Sequence, residues 1–192
     1  IVGLPTNQTL KNNSGTKEAE TNYNYDSNGN LLTESKWITG SNYADTTYTY
    51  NSYGLPLTET DALNNTTMYV YDTHTMYPAS VTNALSQVTS YLYDYSSGKV
   101  TQITEPNGKV TQYDYDGLDR LIEIAGTIGN GGTQVLKDIS YNTTANPQYT
   151  KATIYTGTES QDIYTYTDGF GKTIQTKSEM DNDWLTLDTI FD

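Results

Sequence analysis

The 192-residue chain has no cysteine, one histidine, two phenylalanines and two tryptophans. Without cysteine there are no disulfide staples, and zinc sites of the common Cys/His kinds are excluded. A Ser-His-Asp arrangement would have to be built around His74 alone. That residue sits in Tyr71-Asp72-Thr73-His74-Thr75, where a turn is expected, and it reads as a solvated turn residue. Positive charge is also scarce. Ten Lys and Arg stand against 23 Asp and Glu, for a net charge of −13. Sequence-independent nucleic-acid binding needs clustered Lys and Arg, so this balance argues against it and against anionic membrane surfaces. The charge reads as a solubilising surface. No apolar run approaches the roughly 18 residues of a membrane-spanning helix. Residues 1 to 10 lack the basic and apolar regions of a signal peptide. A transmembrane β-barrel needs lipid-facing apolar bands, whereas the alternate positions here are Thr, Ser, Asn and Gln.

Leu, Ile, Val and Phe number only 34. Together with the charge, that scarcity would suggest disorder. What is present argues the other way. Nineteen tyrosines supply the missing apolar area, since each ring buries a large surface while its hydroxyl finds a partner. Most of them recur as Tyr-x-Tyr: Tyr23/Tyr25, Tyr48/Tyr50, Tyr69/Tyr71, Tyr91/Tyr93, Tyr113/Tyr115 and Tyr164/Tyr166. A degenerate copy, Ile139/Tyr141, fills the one gap, so that the starts lie 25, 21, 22, 22, 26 and 25 residues apart. A repeat of this kind fixes architecture before any single element is assigned.

Each unit has one grammar. An alternating segment rich in Thr and Tyr leads into a polar turn, such as Ser27-Asn28-Gly29, Ser52-Tyr53-Gly54, Ser96-Ser97-Gly98 or Gly169-Phe170-Gly171. A second β-prone segment follows, at 31–35, 55–60, 100–104, 121–125 and 173–177. A second turn closes the unit, as at 62–65 and 106–108. Period-two alternation, β-branched and aromatic enrichment and short Gly/Asn/Asp turns read as β-hairpins. Loops this short suit antiparallel pairing. The fold class expected is therefore all-β: tandem antiparallel hairpins in a curved, spiralling sheet of about 14 strands. Seven repeats are placed at about 21–45, 46–66, 67–88, 89–110, 111–137, 138–162 and 163–177. Residues 1–20 read as a divergent flanking repeat or cap, and 178–192 as a partial repeat or flank. The connector 126–132, rich in glycine, reads as a flexible loop. In a strand, residues i and i+2 share a face, so each Tyr-x-Tyr places two rings together. In-register stacking would then align all the rings in ladders.

These units resemble a known family. The segment Tyr113-Asp114-Tyr115-Asp116-Gly117-Leu118-Asp119-Arg120-Leu121 is similar to the YD repeat of Rhs-type proteins, as are 23–34, 48–59 and 91–103; 166–177 resembles a variant unit of bacterial toxin members. The family includes Rhs and wall-associated polymorphic toxins, the B and C components of insecticidal toxin complexes, and teneurins. The resemblance implies hairpins that spiral into a hollow shell, enclosing a toxic domain in the toxins and serving an adhesion receptor in teneurins. It implies repeats that are structural and not catalytic, with no cofactor, on a secreted or cell-surface protein. The partners implied are neighbouring repeats and an enclosed or displayed domain, with carbohydrate as a further partner proposed for such repeats. Seven units are too few to close a shell, so a strip of a larger wall is expected. The Asp-Pro dipeptide of the family's self-cleavage element does not occur in this sequence, and autoproteolysis is not carried over.

Few residues compete with the scaffold reading. Asp26-Ser27-Asn28-Gly29-Asn30 has oxygens at alternate positions, as calcium loops do, but lacks the distal glutamate and falls in a hairpin turn; Asp181-Asn182-Asp183 is similar. Glu34 and Glu59 hold equivalent repeat positions, which periodicity explains without a glycosidase pair. The sequons at Asn7, Asn12, Asn64, Asn65 and Asn142 matter only in a glycosylating pathway. The structural repeat residues are Tyr23, Tyr25, Tyr48, Tyr50, Tyr69, Tyr71, Tyr91, Tyr93, Tyr113, Tyr115, Tyr141, Tyr164 and Tyr166. Two functions stay open: a non-enzymatic wall of a larger protein, and an adhesin-like module that stacks glycans on exposed tyrosines.

Overall fold

The computed structural model describes residues 3–128, 132–157, 159–180 and 183–189. Among them there is no helix, and sixteen strands follow one another in chain order through one antiparallel sheet. Chain contacts divide the protein into two units, Ile1–Ser90 and Tyr91–Asp192. The first holds β1 (Asn7–Lys11), β2 (Lys17–Tyr25), β3 (Leu31–Thr39), β4 (Asn42–Tyr50), β5 (Pro56–Thr60), β6 (Thr66–Tyr71) and β7 (Pro78–Thr82), and begins β8 (Val88–Asp94). The second continues with β9 (Lys99–Thr104), β10 (Val110–Tyr115), β11 (Leu121–Ile128), β12 (Gly132–Asn142), β13 (Gln148–Thr156), β14 (Glu159–Thr167), β15 (Thr173–Met180) and β16 (Asp183–Asp188). The strands expected at 31–35, 55–60, 100–104, 121–125 and 173–177 are all present. Of the connector 126–132, residues 126–128 end β11 and Gly132 opens β12, while 129–131 lie outside the described residues.

A single-layer sheet has two faces and no interior. Ala125, 7% exposed, is the one apolar side chain among the described residues that is buried. Order therefore rests on backbone ladders and on cross-strand rows of half-buried side chains. In the first unit one face carries all six repeat tyrosines, Tyr23 to Tyr71. The other face carries a polar row, with Asn24, Thr33, Thr47, Thr60 and Thr66 directly opposite one another across five strands. The hydroxyls of Thr49 and Thr58 lie 2.7 Å apart, and those of Thr60 and Thr66 2.9 Å.

The turns share a mechanism. The first residue is usually Asp or Asn, and its Oδ1 accepts the N–H groups two and four residues on. Asp26 binds Asn28 and Asn30 at 2.8 and 2.9 Å, and Asp116 binds Leu118 and Arg120 at 2.9 and 3.0 Å. Asn12, Asn51, Asp61, Asp72, Asn83 and Asp168 do the same. The fourth residue has positive φ, filled by Gly29, Gly54 or Gly171 but also by Asn64, Thr75, Ser86 and Asp119. A type I turn followed by one left-handed residue matches the twist of the flanking strands.

Candidate functional site

The second tyrosine of a repeat stands beside a β-bulge. Tyr25 is paired with Leu31, Tyr50 with Pro56, Tyr71 with Pro78 and Tyr115 with Leu121, and each pairing follows a register shift. The extra residues are apolar: Leu32, Leu57, Ala79 and Ile122. The bulge turns a backbone carbonyl away from its ladder partner, and the next hairpin uses it. The Tyr50 hydroxyl donates to the Leu31 carbonyl at 2.8 Å, Tyr71 to Pro56 at 2.9 Å, and Tyr141 to Leu121 at 3.0 Å. Tyr25 donates to Pro5 at 3.0 Å and Tyr115 to Val100 at 2.9 Å. Each acceptor at Leu31, Pro56 and Leu121 is the residue opposite the previous repeat's own second tyrosine, so these bonds link hairpin to hairpin. Burial raises the pKa of Tyr50, Tyr71 and Tyr115, which keeps each phenol protonated and donating. The alternating pattern signalled the rings. The phenol-to-carbonyl pin depends on a bulge that periodicity does not show.

The seventh pair does not continue the ladder. In the second unit, Tyr113, Ile124 and Lys137 stand opposite one another, which puts Tyr113, Tyr115, Ile139 and Tyr141 on one face. Ile139 is opposite Ala152, and Ala152 opposite Ile163. Tyr164 and Tyr166 flank that register by one residue and so point to the other face. A one-residue offset inverts every side chain of a strand. Crossing two strands carries position 139 to 163, while the next pair begins at 164. The expectation that in-register stacking aligns all the rings in ladders is corrected at β14.

The inverted pair joins residues outside the repeat pattern. Tyr149, opposite Tyr166, packs against Tyr164 and Tyr166 with ring centres 5.5 and 5.6 Å apart. Tyr164 and Tyr166 stack at 6.3 Å with an 18° angle, and Trp184 meets Tyr164 edge-on at 5.6 Å. Tyr164, Tyr166, Lys177, Trp184 and Thr186 line an open cleft of about 410 Å³. Lys177 lies 5.5 Å from the centre of the Tyr166 ring. Beside it Lys151 is already neutralised by Asp162 at 2.7 Å.

A second cluster lies in the first unit. Glu20 accepts from Lys17 at 2.8 Å, from the Tyr43 hydroxyl at 2.6 Å and from Asn7 at 3.1 Å. The bond from Lys17, followed by those from Tyr43 and Asn7, lowers its pKa to about 2. Lys17 also sits 4.5 Å over the Trp37 ring. These groups satisfy one another.

The remaining candidates fall in turns. Asp26 spends both oxygens on its own turn, Oδ2 accepting from Asn30 Nδ2 at 2.8 Å. His74 lies in the turn organised by Asp72, and its backbone N–H donates to Asp72 Oδ1 at 3.1 Å. Glu34 and Glu59 pair with Tyr23 and Tyr48 at equivalent positions, and Glu34 holds Lys36 at 3.0 Å. Asp181 and Asn182 lie outside the described residues. Among the described residues no three His, Cys, Asp or Glu gather as metal ligands.

Residues 93–133 match the family model RHS Repeat. No curated protein sequence matches the chain. The fold is similar to that of a solved TcdB2-TccC3-Cdc42 chain, with a TM-score of 0.63 and 16% identity over 90% of this chain and 10% of that one. TcdB2-TccC3 without its hypervariable C-terminal region is similar over 95% of this chain and 13% of that one, with a TM-score of 0.56 and 15% identity. At such identities the likeness is one of fold, and this chain spans about a tenth of those chains' length. The matched segment begins with Tyr93 and contains the Tyr113/Tyr115 hairpin with its Asp116 turn, and the same hairpin grammar runs before and after it. Residues 93–133 are thus similar to the RHS Repeat, and the hairpins on either side share their grammar.

Proposed function

We propose that this chain is a non-enzymatic structural module: a length of hairpin wall in a larger secreted or surface protein, which encloses or displays a domain of the same parent. The observation that carries the reading is the tyrosine pin. A side chain that defines the repeat fastens one hairpin to the one before it at Tyr50, Tyr71 and Tyr141, while Asp26, Asp61, Asp116 and His74 are engaged in turns and Glu20 and Glu34 in ion pairs. Side chains organised to hold a sheet together suit a wall and not a reaction centre. The repeats at 21–177, flanked by 1–20 and 178–192, are the wall's units in this reading.

The test uses the longer protein that contains this segment. Limited proteolysis of the domain that accompanies the repeats is compared between the native protein and a Tyr50→Phe/Tyr71→Phe/Tyr115→Phe variant. An enclosing wall leaves the domain resistant in the native protein and cleavable at lower denaturant in the variant. Equal and rapid cleavage of the domain in both proteins excludes enclosure. Retained protection after deletion of the whole repeat segment excludes any role in it.

A further inference from the structure

The two margins of the sheet fit each other. β1 and β16 are its outermost strands, and every side chain on both is exposed. They differ in kind. β2 and β3 are the first and second strands of one hairpin, β4 and β5 of the next, and the same alternation makes β16 a first strand and β1 a second strand. The pins say the same of β1. Just ahead of it, the Pro5 carbonyl receives the Tyr25 hydroxyl as the second-strand residue Pro56 receives that of Tyr71. β16 therefore offers the edge on which a second strand is laid, and β1 offers the edge with which a second strand meets a first.

We infer that this chain associates with itself head to tail, β16 of one copy taking β1 of the next as an added antiparallel strand. Register and hydrogen-bond phase both support that partner. Asn7, Asn22 and Ser35 stand opposite one another across β1–β3, Thr33, Thr47 and Thr60 across β3–β5, and Thr58, Met68 and Thr82 across β5–β7. These rows start two residues beyond Pro5, Leu31 and Pro56, and end four residues beyond Leu31, Pro56 and Pro78. In β15 the matching start is Gln175, two residues beyond Thr173, and it stands opposite Asp188. Four residues beyond Pro5 is Thr9, so the row runs on from Asp188 to Thr9 of a second copy. Leu187 then meets Leu10, and Thr186 meets Lys11. The phase is read separately. The Thr189 N–H donates to the Ile174 carbonyl at 2.9 Å, and the Tyr23 N–H to the Thr6 carbonyl at 3.0 Å. Such bonds alternate along an antiparallel pair, so the backbone groups of Leu187 and Leu10 turn inward and those of Asp188 and Thr9 turn outward. The register taken from the repeat thus joins outward groups to outward groups, which a slip of one residue would not do. Leu187 and Leu10, 67% and 60% exposed, cover each other across the seam, and Lys11 comes diagonal to Asp188 on one face. Two unlike edges make a heterologous contact, which adds copies in series.

Sedimentation velocity on the intact chain tests this. The mean mass of the native chain is expected to rise above that of the monomer as concentration increases to about 1 mM. Thr9→Pro and Thr186→Pro each remove an outward N–H from one edge and leave the inward ladder bonds intact, as proline does on an edge strand. Each variant alone is expected to stay monomeric where the native chain associates. An equimolar mixture of the two is expected to form dimers and nothing larger, because one live β16 edge then meets one live β1 edge. A native chain that is monomeric up to that concentration overturns the inference. So does either variant associating by itself as the native chain does, or a mixture that stays monomeric. Should a proline variant lose the native circular dichroism spectrum, disulfide trapping decides, since the chain has no cysteine of its own. Under mild oxidation Thr9→Cys/Asp188→Cys is expected to give a ladder of covalent multimers, and Leu10→Cys/Asp188→Cys, whose thiols lie on opposite faces, is not. Equal trapping in the two double variants, or none in the first, overturns the inference.

Discussion

The Tyr50 hydroxyl donates to the carbonyl of Leu31 at 2.8 Å, and Leu31 is the residue directly opposite Tyr25. One tyrosine therefore closes the bulge that another tyrosine's hairpin opens. The same relation links Tyr71 to Pro56, opposite Tyr50, and Tyr141 to Leu121, opposite Tyr115.

Removing one pin hydroxyl leaves the ring in place and orphans a half-buried carbonyl. Tyr50→Phe is expected to cost about 1 kcal/mol, the usual net worth of such a hydrogen bond. Tyr115→Phe should cost a similar amount and add to it, since the two pins share no strand and no partner. Urea unfolding of both single variants and the double variant checks this. A double variant as stable as the native chain would show that the pins contribute nothing.

Acid should unfold the protein over a defined window. The carboxyls of Asp26, Asp61 and Asp116 are held below the ordinary value by hydrogen bonds from Asn30, Asn65 and Arg120. Glu20 is lowered to about 2, chiefly by Lys17. A folded-state pKa below the unfolded one contributes stability that is complete above the unfolded value and is lost as pH falls through the folded value. Unfolded Asp and Glu titrate near 3.8 and 4.5. The Tm is therefore expected to be flat above pH 5 and to fall between pH 4.5 and about 2. Asp26→Asn/Asp61→Asn/Asp116→Asn keeps the Oδ1 acceptors, as Asn51 and Asn83 do at equivalent turns, and should flatten that fall. A Tm that declines as steeply in the triple variant would locate the acid sensitivity elsewhere.

The fourth turn position offers a stability gain. Thr75 has φ of 56°, where its β-branched side chain is strained. Thr75→Gly is expected to stabilise the protein by about 1 kcal/mol. Gly54, at the same position with φ of 80°, should lose a similar amount as Gly54→Ala, whose Cβ would also lie 3.2 Å from Asn30 Oδ1. The urea midpoints should move in opposite directions.

The inversion at β14 predicts which tyrosines are energetically coupled. Double-mutant cycles with leucine should give about 0.5 kcal/mol or more between Tyr149 and Tyr166. The cycle between Tyr141 and Tyr166 should give a value near zero, because those rings point to opposite faces. Coupling of the second pair would place Tyr166 on the ladder face.

The hairpins were legible in the sequence because their signals are local. Tyr113-Asp114-Tyr115 alternates, Asp116-Gly117-Leu118-Asp119 turns, and Leu121 onward alternates again. The pins were not legible, because a carbonyl such as that of Leu31 becomes an acceptor through bulge geometry, which leaves no mark on periodicity. The inversion of Tyr164 and Tyr166 was hidden for a different reason. Face is the parity of a sum over two strand registers, and a spacing of 25 residues separates both Tyr23 from Tyr48, which share a face, and Ile139 from Tyr164, which do not. Tyr149, one of the six tyrosines outside the repeat positions, packs against both rings of the inverted pair.

Every pin joins residues between 15 and 20 positions apart in the chain. Such short spans keep loop-closure entropy small and folding fast for a β protein. A hairpin needs only its immediate predecessor to be fastened, so the array can lengthen in the order in which it is synthesised. Any sequence that emerges after these repeats meets hairpins already fastened, without waiting for its own end to appear.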